Sequence, residues 1–312
     1  MKAFVTGGCG FIGSHLTKRL LDDGHEVTVY DNMSVGSLEF LGETKEHPRC
    51  RIIRGDIGEI DRLIESVRGQ DMVFHLAANA NIPLGVSNTT VDLNDNAVGT
   101  YNVIESMRRT GVKKIAFSSS SAVYGEPERS LGAIPESYGP FMPVSLYGAS
   151  KLAAEAYVIA YHYMFGLEPW IFRFANVVGP RGTHGVIKDF IAKLRENHRQ
   201  LQILGDGKQE KSFIHVTDCI EGILHATRHS PGNAEAFNLG SVDTILVDRI
   251  AEIVVREMGL ANVKFTYTGG RRGWLGDVPY VFLDITKMKK LGFVAKLNSE
   301  QTVTQAVKEM LT

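Results

Sequence analysis

The 312-residue sequence predicts an α/β protein: a doubly wound parallel sheet with a smaller C-terminal α/β lobe. Two observations carry this prediction. Short apolar runs rich in β-branched residues alternate with longer stretches whose apolar residues recur at helical spacing. A glycine-rich turn lies between the first such run and the first helical stretch. This repeated alternation is typical of a parallel sheet with helices on both faces.

The elements are assigned in chain order. A strand over 2–7 is followed by a helix over 11–24 that ends at a glycine. Further strands are predicted over 26–32, 50–56, 71–78, 113–120 and 168–176. After about residue 176 the alternation loosens. Loops are predicted over 179–186 and 204–213, and residues 267–279 form a glycine-rich segment. A late strand over 236–240 is expected to return to the main sheet.

These elements predict two units. The first comprises residues 1–176, with about 213–240 returning to it, and the second comprises residues 177–212 and 241–312. The first unit contains the strand–helix alternation and the glycine-rich turn, so it is expected to hold a dinucleotide. The second unit is expected to hold the molecule on which the protein acts.

Composition and charge exclude several classes of function. A formal net charge of -1 offers no general attraction to nucleic acid. No apolar run approaches the roughly 20 residues that span a bilayer, and "MKAFVTGG" lacks the apolar core of a signal peptide. We therefore expect a cytoplasmic protein with neither a nucleic acid nor a membrane as partner. Cys9, Cys50 and Cys219 show no metal-ligand spacing and are expected to be packing residues, so no metal is predicted.

The glycine-rich turn "GGCGFIG" contains Gly7, Gly10 and Gly13 at three-residue intervals. Glycine permits the tight turn, the close approach of the backbone to a pyrophosphate and the packing of the helix on the strand. The N-terminus of the helix would then face the phosphate charge. Turn glycines without a ligand are the alternative reading of this motif.

Asp31 ends the second strand 18 positions after Gly13. There a carboxylate can accept hydrogen bonds from the adenosine ribose. The following segment "NMSVGS" has no arginine or lysine that could bind a 2'-phosphate. The pattern favours NAD over NADP.

Tyr147 precedes Lys151 by four residues within a predicted helix, so both can face one cleft. A tyrosine hydroxyl titrates near pH 10, and we expect the adjacent ammonium and an oxidised nicotinamide to lower the pKa of Tyr147. The serine run "FSSSSAVYG" ends a strand at the sheet edge where ligands bind. A serine hydroxyl there could bond the same substrate oxygen, although a tyrosine, a lysine and a serine-rich turn also occur together without function.

The chain resembles the extended short-chain dehydrogenases/reductases, and most closely the UDP-glucose (UDP-galactose) 4-epimerases. The resemblance covers nearly the whole length. It rests on the glycine turn, "YDN" at 30–32, "GDI" at 55–57, "HLAA" at 75–78, Asn96 with "GT", the serine run, Tyr147 with Lys151, "RFANVVGPR" at 173–181 and "SFIHVTD" at 212–218. It implies a Rossmann-like sheet, bound NAD, a UDP-sugar substrate and a homodimer.

The resemblance also implies roles for individual residues. Tyr147, Lys151 and Ser120 would be catalytic. The residues implied for NAD binding are Gly7, Gly10, Phe11, Ile12, Gly13, Asp31, Asn32, Ser34, Gly36, Asp56, Ile57, Leu76, Ala77, Ala78, Asn96, Tyr147 and Lys151. Those implied for substrate binding are Ser120, Tyr147, Asn176, Lys211, Arg271, Arg272, Asp277 and Val281.

The implied reaction is inversion at C4 of the sugar. Tyr147 would take the proton of the 4-hydroxyl while hydride passes to NAD, and the 4-keto sugar would turn over before hydride returns to its other face. Related dehydratases carry an Asp-Glu pair, and decarboxylases a glutamate, in the segment where this chain has Ser121 and Ala122. Their absence favours epimerisation.

Some positions depart from the family pattern and leave alternatives open. Lys211 replaces the arginine of a common "RDF" motif, and a lysine gives no two-pronged hydrogen bond, so Arg271 and Arg272 are candidates for the diphosphate. Val281 lies near a position whose bulk limits the sugar substituent, and its small size favours an N-acetyl group. UDP-N-acetylglucosamine 4-epimerase activity is therefore one alternative, and a dinucleotide-binding regulator without catalysis is another.

Overall fold

A computed structural model describes all residues from Met1 to Thr312. The strands are β1 Lys2–Thr6, β2 Glu26–Asp31, β3 Cys50–Arg54, β4 Met72–His75, β5 Lys114–Ser120, β6 Glu168–Phe174, β7 Asn176–Val178, β8 Gln200–Ile203, β9 Glu210–Lys211, β10 Phe213–His215, β11 Glu235–Leu239, β12 Ile245–Leu246, β13 Lys264–Tyr267 and β14 Tyr280–Val281.

Ten α-helices connect the strands. They are α1 Phe11–Asp22, α2 Ile60–Val67, α3 Leu84–Ser87, α4 Gly99–Thr110, α5 Leu146–Phe165, α6 Val186–Glu196, α7 Val216–His229, α8 Val247–Glu257, α9 Thr286–Lys290 and α10 Ser299–Leu311. Short 3-10 helices cover Leu38–Glu46, Ser121–Tyr124 and Arg129–Leu131, and a π-helix covers Leu93–Val98. No helix has the length and the apolar composition needed to cross a membrane.

Seven strands form one parallel sheet in the order β11-β6-β5-β4-β1-β2-β3. The strand order reverses between β1 and β4, and ligands of such sheets bind at the carboxyl ends of the strands beside this reversal. One hydrophobic cluster joins the sheet to α1 and α7, and another joins it to α2, α4 and α5. The predicted doubly wound α/β fold is confirmed.

A third hydrophobic cluster lies outside the main sheet and joins α6, β8, α8 and α10. Three small sheets accompany it: β7 with β10, β8 with β13, and β9 between β12 and β14. The prediction of a loop over 204–213 was wrong at β9, whose two residues pair with β14 and β12. So short a pairing leaves no periodic pattern in the sequence. The prediction that 236–240 returns to the main sheet is confirmed, because β11 pairs with β6.

A buried ion pair connects α5 with β6. Arg173 donates to both carboxylate oxygens of Glu155, at 2.7 Å and 3.0 Å, and the two side chains are 5% and 2% exposed. Arg173 also donates to Tyr124 Oη at 3.0 Å, and Ser119 donates to Glu155. Every charge in this network has a partner, as burial requires.

Replacing Glu155 by glutamine should strongly destabilise the protein. The Glu155→Gln variant leaves the Arg173 guanidinium buried without a counter-charge, which costs about 3–5 kcal/mol. Urea unfolding followed by circular dichroism measures the loss. The matched control is Asp22→Asn, which breaks the exposed Lys18–Asp22 pair of α1 and should cost less than about 1 kcal/mol. Equal losses in both variants would contradict the importance of the buried network.

Candidate active site

The glycine turn packs the start of α1 tightly against the neighbouring strand ends. Gly7 has a left-handed φ of 70°, and a Cβ there would lie 2.7 Å from the backbone nitrogen of Ala77. A Cβ at Gly13 would lie 2.0 Å from the carbonyl oxygen of Gly7. Only glycine fits either position. Phe11 and Ile12 open α1, where backbone amides have no intrahelical partner and can bind a phosphate.

Asp31 anchors the turn from the end of β2. Its buried carboxylate accepts hydrogen bonds from the amides of Cys9 at 2.9 Å and Met33 at 2.7 Å. The segment after it crosses the turn closely, because a Cβ on Gly36 would lie 2.4 Å from the carbonyl oxygen of Cys9. Ser34 lies exposed on this segment. The segment thus packs directly against the glycine turn.

The other residues predicted to bind the cofactor line the same edge of the sheet. Asn32 donates to the Asp56 carboxylate at 2.7 Å, and Ile57 is buried beside it. Leu76 and Ala77 donate their amides to the Thr6 hydroxyl at 3.2 and 3.3 Å. Ala78 follows in the same half-buried stretch after β4. The carboxyl ends of β1, β2, β3 and β4 therefore bring these residues together at one edge of the sheet.

The side chain of Asn96 has a buried acceptor atom without a hydrogen-bond partner in this region. Its side-chain nitrogen donates to Asn79 O at 3.2 Å and to Ser150 Oγ at 3.0 Å. Its Oδ1 is buried and has no hydrogen-bond partner. A buried acceptor without a partner is costly unless a ligand satisfies it. The glycine turn, the carboxylate of Asp31 and this amide oxygen fit a dinucleotide.

Ser145 is the N-cap of helix α5. Its Oγ accepts a hydrogen bond from the backbone amide of Gly148 at 3.1 Å. This start places Tyr147 in the first turn and Lys151 in the next one on the same face. Lys151 is buried, its Nζ donates to Ser118 O at 2.8 Å, and it lies 6.0 Å from the centre of the Tyr147 ring. Burial lowers the pKa of Lys151 to about 8, against the attraction of Glu155 and Asp92.

The pKa of Tyr147 differs from the sequence-based expectation. Burial raises the pKa of Tyr147 to about 12, a hydrogen bond from Ser120 opposes the rise, and the charge of Asp92 adds to it. The sequence-based expectation was a lowered pKa from the ammonium of Lys151 together with an oxidised nicotinamide. In the protein without cofactor the pKa is raised, because burial outweighs the hydrogen bond from Ser120.

Ser120 ends β5 next to Tyr147. Its Oγ accepts the amide of Ala122 at 3.2 Å and so caps the short helix Ser121–Tyr124. Ser121 and Ala122 lie within this capped turn. Ser120, Tyr147 and Lys151 are brought together at one end of β5, as the sequence predicts.

Two of the residues predicted to bind the substrate pair with each other. Lys211 Nζ lies 2.6 Å from Asp277, whose side chain is 2% exposed. Asp277 also accepts the amide of Gly273 at 2.9 Å, and its carbonyl oxygen accepts from Arg272 at 2.7 Å. The charge of Lys211 is therefore already balanced within the chain. Lys211, which the sequence analysis placed among the substrate-binding residues, is thus paired with another member of that set.

The remaining predicted residues surround this pair. Arg271 and Arg272 both donate to the Glu126 carboxylate. Asn176, the first residue of β7, donates a hydrogen bond from its side-chain amide to Ser212 O at 3.0 Å. Val281 packs in a small buried cluster with Val123, Tyr124, Ile134, Ala175 and Leu283, next to the capped turn.

Two acidic residues of the site did not stand out in the sequence. Asp92 is 1% exposed, accepts from Asn79 at 2.8 Å and has one oxygen without a partner. Glu126 binds the arginine pair from 145 positions away. Neither residue lies at a recognisable sequence spacing from the other site residues, and only the fold brings them to the site.

His75, His184 and His215 each have defined surroundings. His75 is fully buried between Thr6 at 2.7 Å and Thr100 at 3.0 Å, and burial lowers the pKa of His75 to about 3. His215 pairs with Glu309 at 2.9 Å, and His184 contacts Thr183 at 3.0 Å. None of the three contacts Tyr147 or Lys151.

A family model described as the NAD dependent epimerase/dehydratase family matches residues 3–240. The chain belongs to this family. The match covers the sheet, the glycine turn, the Tyr147 and Lys151 pair and β11. NAD, which the glycine turn and Asp31 predict, is the cofactor of this family. The chain is accordingly an enzyme of the NAD-dependent epimerase/dehydratase type acting on nucleotide sugars.

Individual members of the family with high similarity differ in their described substrates. The chain is 38% identical to a solved UDP-galactose 4-epimerase, with a TM-score of 0.87 over 99% of this chain and 98% of that one. It is 34% identical to a UDP-glucose 4-epimerase of Mycolicibacterium smegmatis over 77% of each protein. It is also 30% identical to the UDP-N-acetylglucosamine 4-epimerase of Methanobrevibacter ruminantium M1, with a TM-score of 0.86 over 98% and 97% of the two chains.

Proposed function

We propose that the protein interconverts UDP-galactose and UDP-glucose by oxidation at C4, rotation of the 4-keto sugar and reduction of its opposite face. The observation that carries this proposal is the meeting of Tyr147, Lys151 and Ser120 beside a turn whose residues Ser121 and Ala122 carry no acid. Elimination of water would need an added acid and base at this place. Oxidation and re-reduction need only one group that exchanges a proton with the sugar oxygen.

Tyr147 is the group that exchanges this proton. Its pKa of about 12 keeps it protonated at neutral pH in the protein alone, so it becomes a base only when the site gains positive charge. NAD, when bound, supplies the hydride acceptor and such a charge. Lys151, with a pKa of about 8, is mostly charged at pH 7 and stabilises the phenolate. Ser120 holds the 4-oxygen through its hydroxyl.

The UDP part of the substrate anchors at the second unit. Residues 1–176 with about 213–240 hold NAD, and residues 177–212 with 241–312 hold the nucleotide sugar. Arg271 and Arg272 bind the diphosphate, and Asn176 adds a hydrogen bond to it. Lys211 and Asp277 act as a pair that fixes the loop carrying these arginines, which their 2.6 Å contact supports.

The proposed setting is galactose metabolism in the cytoplasm. All three cysteines are free: Cys9 and Cys219 are buried and Cys50 is half-buried. Free thiols without disulfides are usual in a reducing compartment. Burial raises the pKa of Cys9 to about 12, which keeps its thiol protonated and unreactive.

Incubation of the purified protein with UDP-galactose and no added cofactor should produce UDP-glucose. The co-purified NAD is regenerated in each cycle, so none is consumed. Chromatography of the nucleotide sugars measures the product. The Tyr147→Phe variant should keep its NAD and lose on the order of 100-fold in turnover.

Two outcomes would contradict the proposal. Absence of UDP-glucose with NAD-loaded protein would exclude this substrate pair, and near-normal turnover of Tyr147→Phe would remove Tyr147 from the reaction. A non-catalytic regulator would also bind NAD, but it would show no NADH absorbance on addition of a UDP-sugar.

The small side chain of Val281 supports activity on N-acetylated sugars as a second candidate function. Val281 packs beside the capped turn that holds Ser120, so its size bears on the space near the sugar. We expect UDP-N-acetylgalactosamine to be turned over at a rate within about tenfold of UDP-galactose, a difference of roughly 1.4 kcal/mol. Parallel assays of both sugars measure the ratio. No detectable reaction with the acetylated sugar rejects this candidate.

A homodimer formed through α4 and α5 is part of the proposal. Tyr101 and Tyr157 are 37% and 50% exposed, and their ring centres lie 6.1 Å apart on the outer face of these helices. Val98 and Met164 extend the exposed apolar surface. Such a surface is suited to a second copy of the same chain.

Sedimentation velocity should show a dimer for the native protein and a monomer for the double variant Tyr101→Arg/Tyr157→Arg. Arginine at both positions would place like charges across a two-fold interface. The control is Tyr163→Arg, because Tyr163 is 79% exposed and lies on a different face of α5. A native monomer, or a dimer in the double variant, would exclude this interface.

A further inference from the structure

The arginines proposed to bind the diphosphate already bind a carboxylate of the same chain. Arg271 Nη2 donates to Glu126 Oε1, and Arg272 Nη2 donates to Glu126 Oε2. Glu126 follows directly on the capped turn of Ser120, whereas the arginines belong to the loop fixed by Asp277. The contact therefore links the catalytic end of β5 to the arginine loop.

The chemistry of this contact matches that of the ligand. Arginine binds carboxylate and phosphate oxygens through the same N–H groups. Arg271 has no other hydrogen-bond partner in the chain, and the other bond of Arg272 goes to the Asp277 carbonyl oxygen. A diphosphate that binds both guanidinium groups must compete with Glu126 for them.

The solvent exposure of the three side chains indicates that another anion can displace the Glu126 carboxylate from the arginines. The side chain of Arg271 is 74% exposed, that of Arg272 is 40% exposed and that of Glu126 is 20% exposed. Ion pairs open to water contribute little to stability. By contrast, the buried pair of Lys211 with Asp277 is 14% and 2% exposed and remains in place as the support of the loop.

We propose that Glu126 is an internal competitor for the diphosphate of the substrate. In the ligand-free protein its carboxylate neutralises one of the two arginine charges, and the diphosphate binds by displacing it. Glu126 thus weakens ligand binding and speeds product release. This inference rests on the proposed function, because it takes the arginine pair as the diphosphate site.

The test is the affinity of the NAD-loaded protein for UDP, measured by isothermal titration calorimetry. The Glu126→Gln variant keeps the shape of the side chain and removes its charge. We expect its dissociation constant for UDP to fall about fivefold, the size of one exposed ion pair. The matched control is Glu128→Gln, because Glu128 lies two residues further along the same loop and bonds only to Ser130 at 3.3 Å. It should leave the constant unchanged.

A second comparison shows whether the change in UDP affinity caused by Glu126→Gln depends on the arginines. In the Arg271→Ala background the gain from Glu126→Gln should shrink, because one of the two shielded guanidinium groups is gone. Unchanged or weaker binding by Glu126→Gln, with normal binding by the native protein, overturns the inference alone. If neither protein binds UDP at millimolar concentration, the assignment of the diphosphate site fails, and the inference fails with it.

Discussion

The packing of half-buried Tyr147 and buried Lys151 against the end of β5 is the constraint on which the rest of the site depends. Burial raises the pKa of the tyrosine to about 12 and lowers that of the lysine to about 8. Both shifts favour the neutral forms. The tyrosine alone is therefore inactive as a base at neutral pH. In the proposed reaction its basicity depends on positive charge brought by the cofactor, which ties proton transfer to an occupied cofactor site.

One face of α5 holds this arrangement. Tyr147 meets Ser120, Lys151 bonds to Ser118 O at 2.8 Å, and Glu155 pairs with Arg173 at 2.7 Å. These positions are four residues apart, so the polar contacts follow the helix face along the ends of β5 and β6. The last of them, Glu155 with Arg173, is buried and joins α5 to β6.

Much of the fold and part of the site follow from local sequence patterns. Alternating strands and helices, the glycine turn and the Tyr147 and Lys151 spacing are local, so the sequence predicts them. The pairing of Lys211 with Asp277 and of Arg271 with Glu126 joins residues 66 and 145 positions apart. No spacing rule reaches across such distances. The raised pKa of Tyr147 was also missed, because it depends on how much water the folded site excludes.

In the proposed reaction, the residues of α5 do not determine which sugar is the substrate. In that reaction Tyr147 and Ser120 act on the sugar 4-oxygen and Lys151 supports Tyr147, so the three serve any sugar that presents this group. Discrimination must come from residues that contact the rest of the ligand. In the proposed site those are the capped turn after Ser120, the cluster around Val281 and the arginine loop. Glu126 follows the capped turn and bonds to both arginines of that loop, so the proposed competition for the diphosphate links the first of these regions to the third.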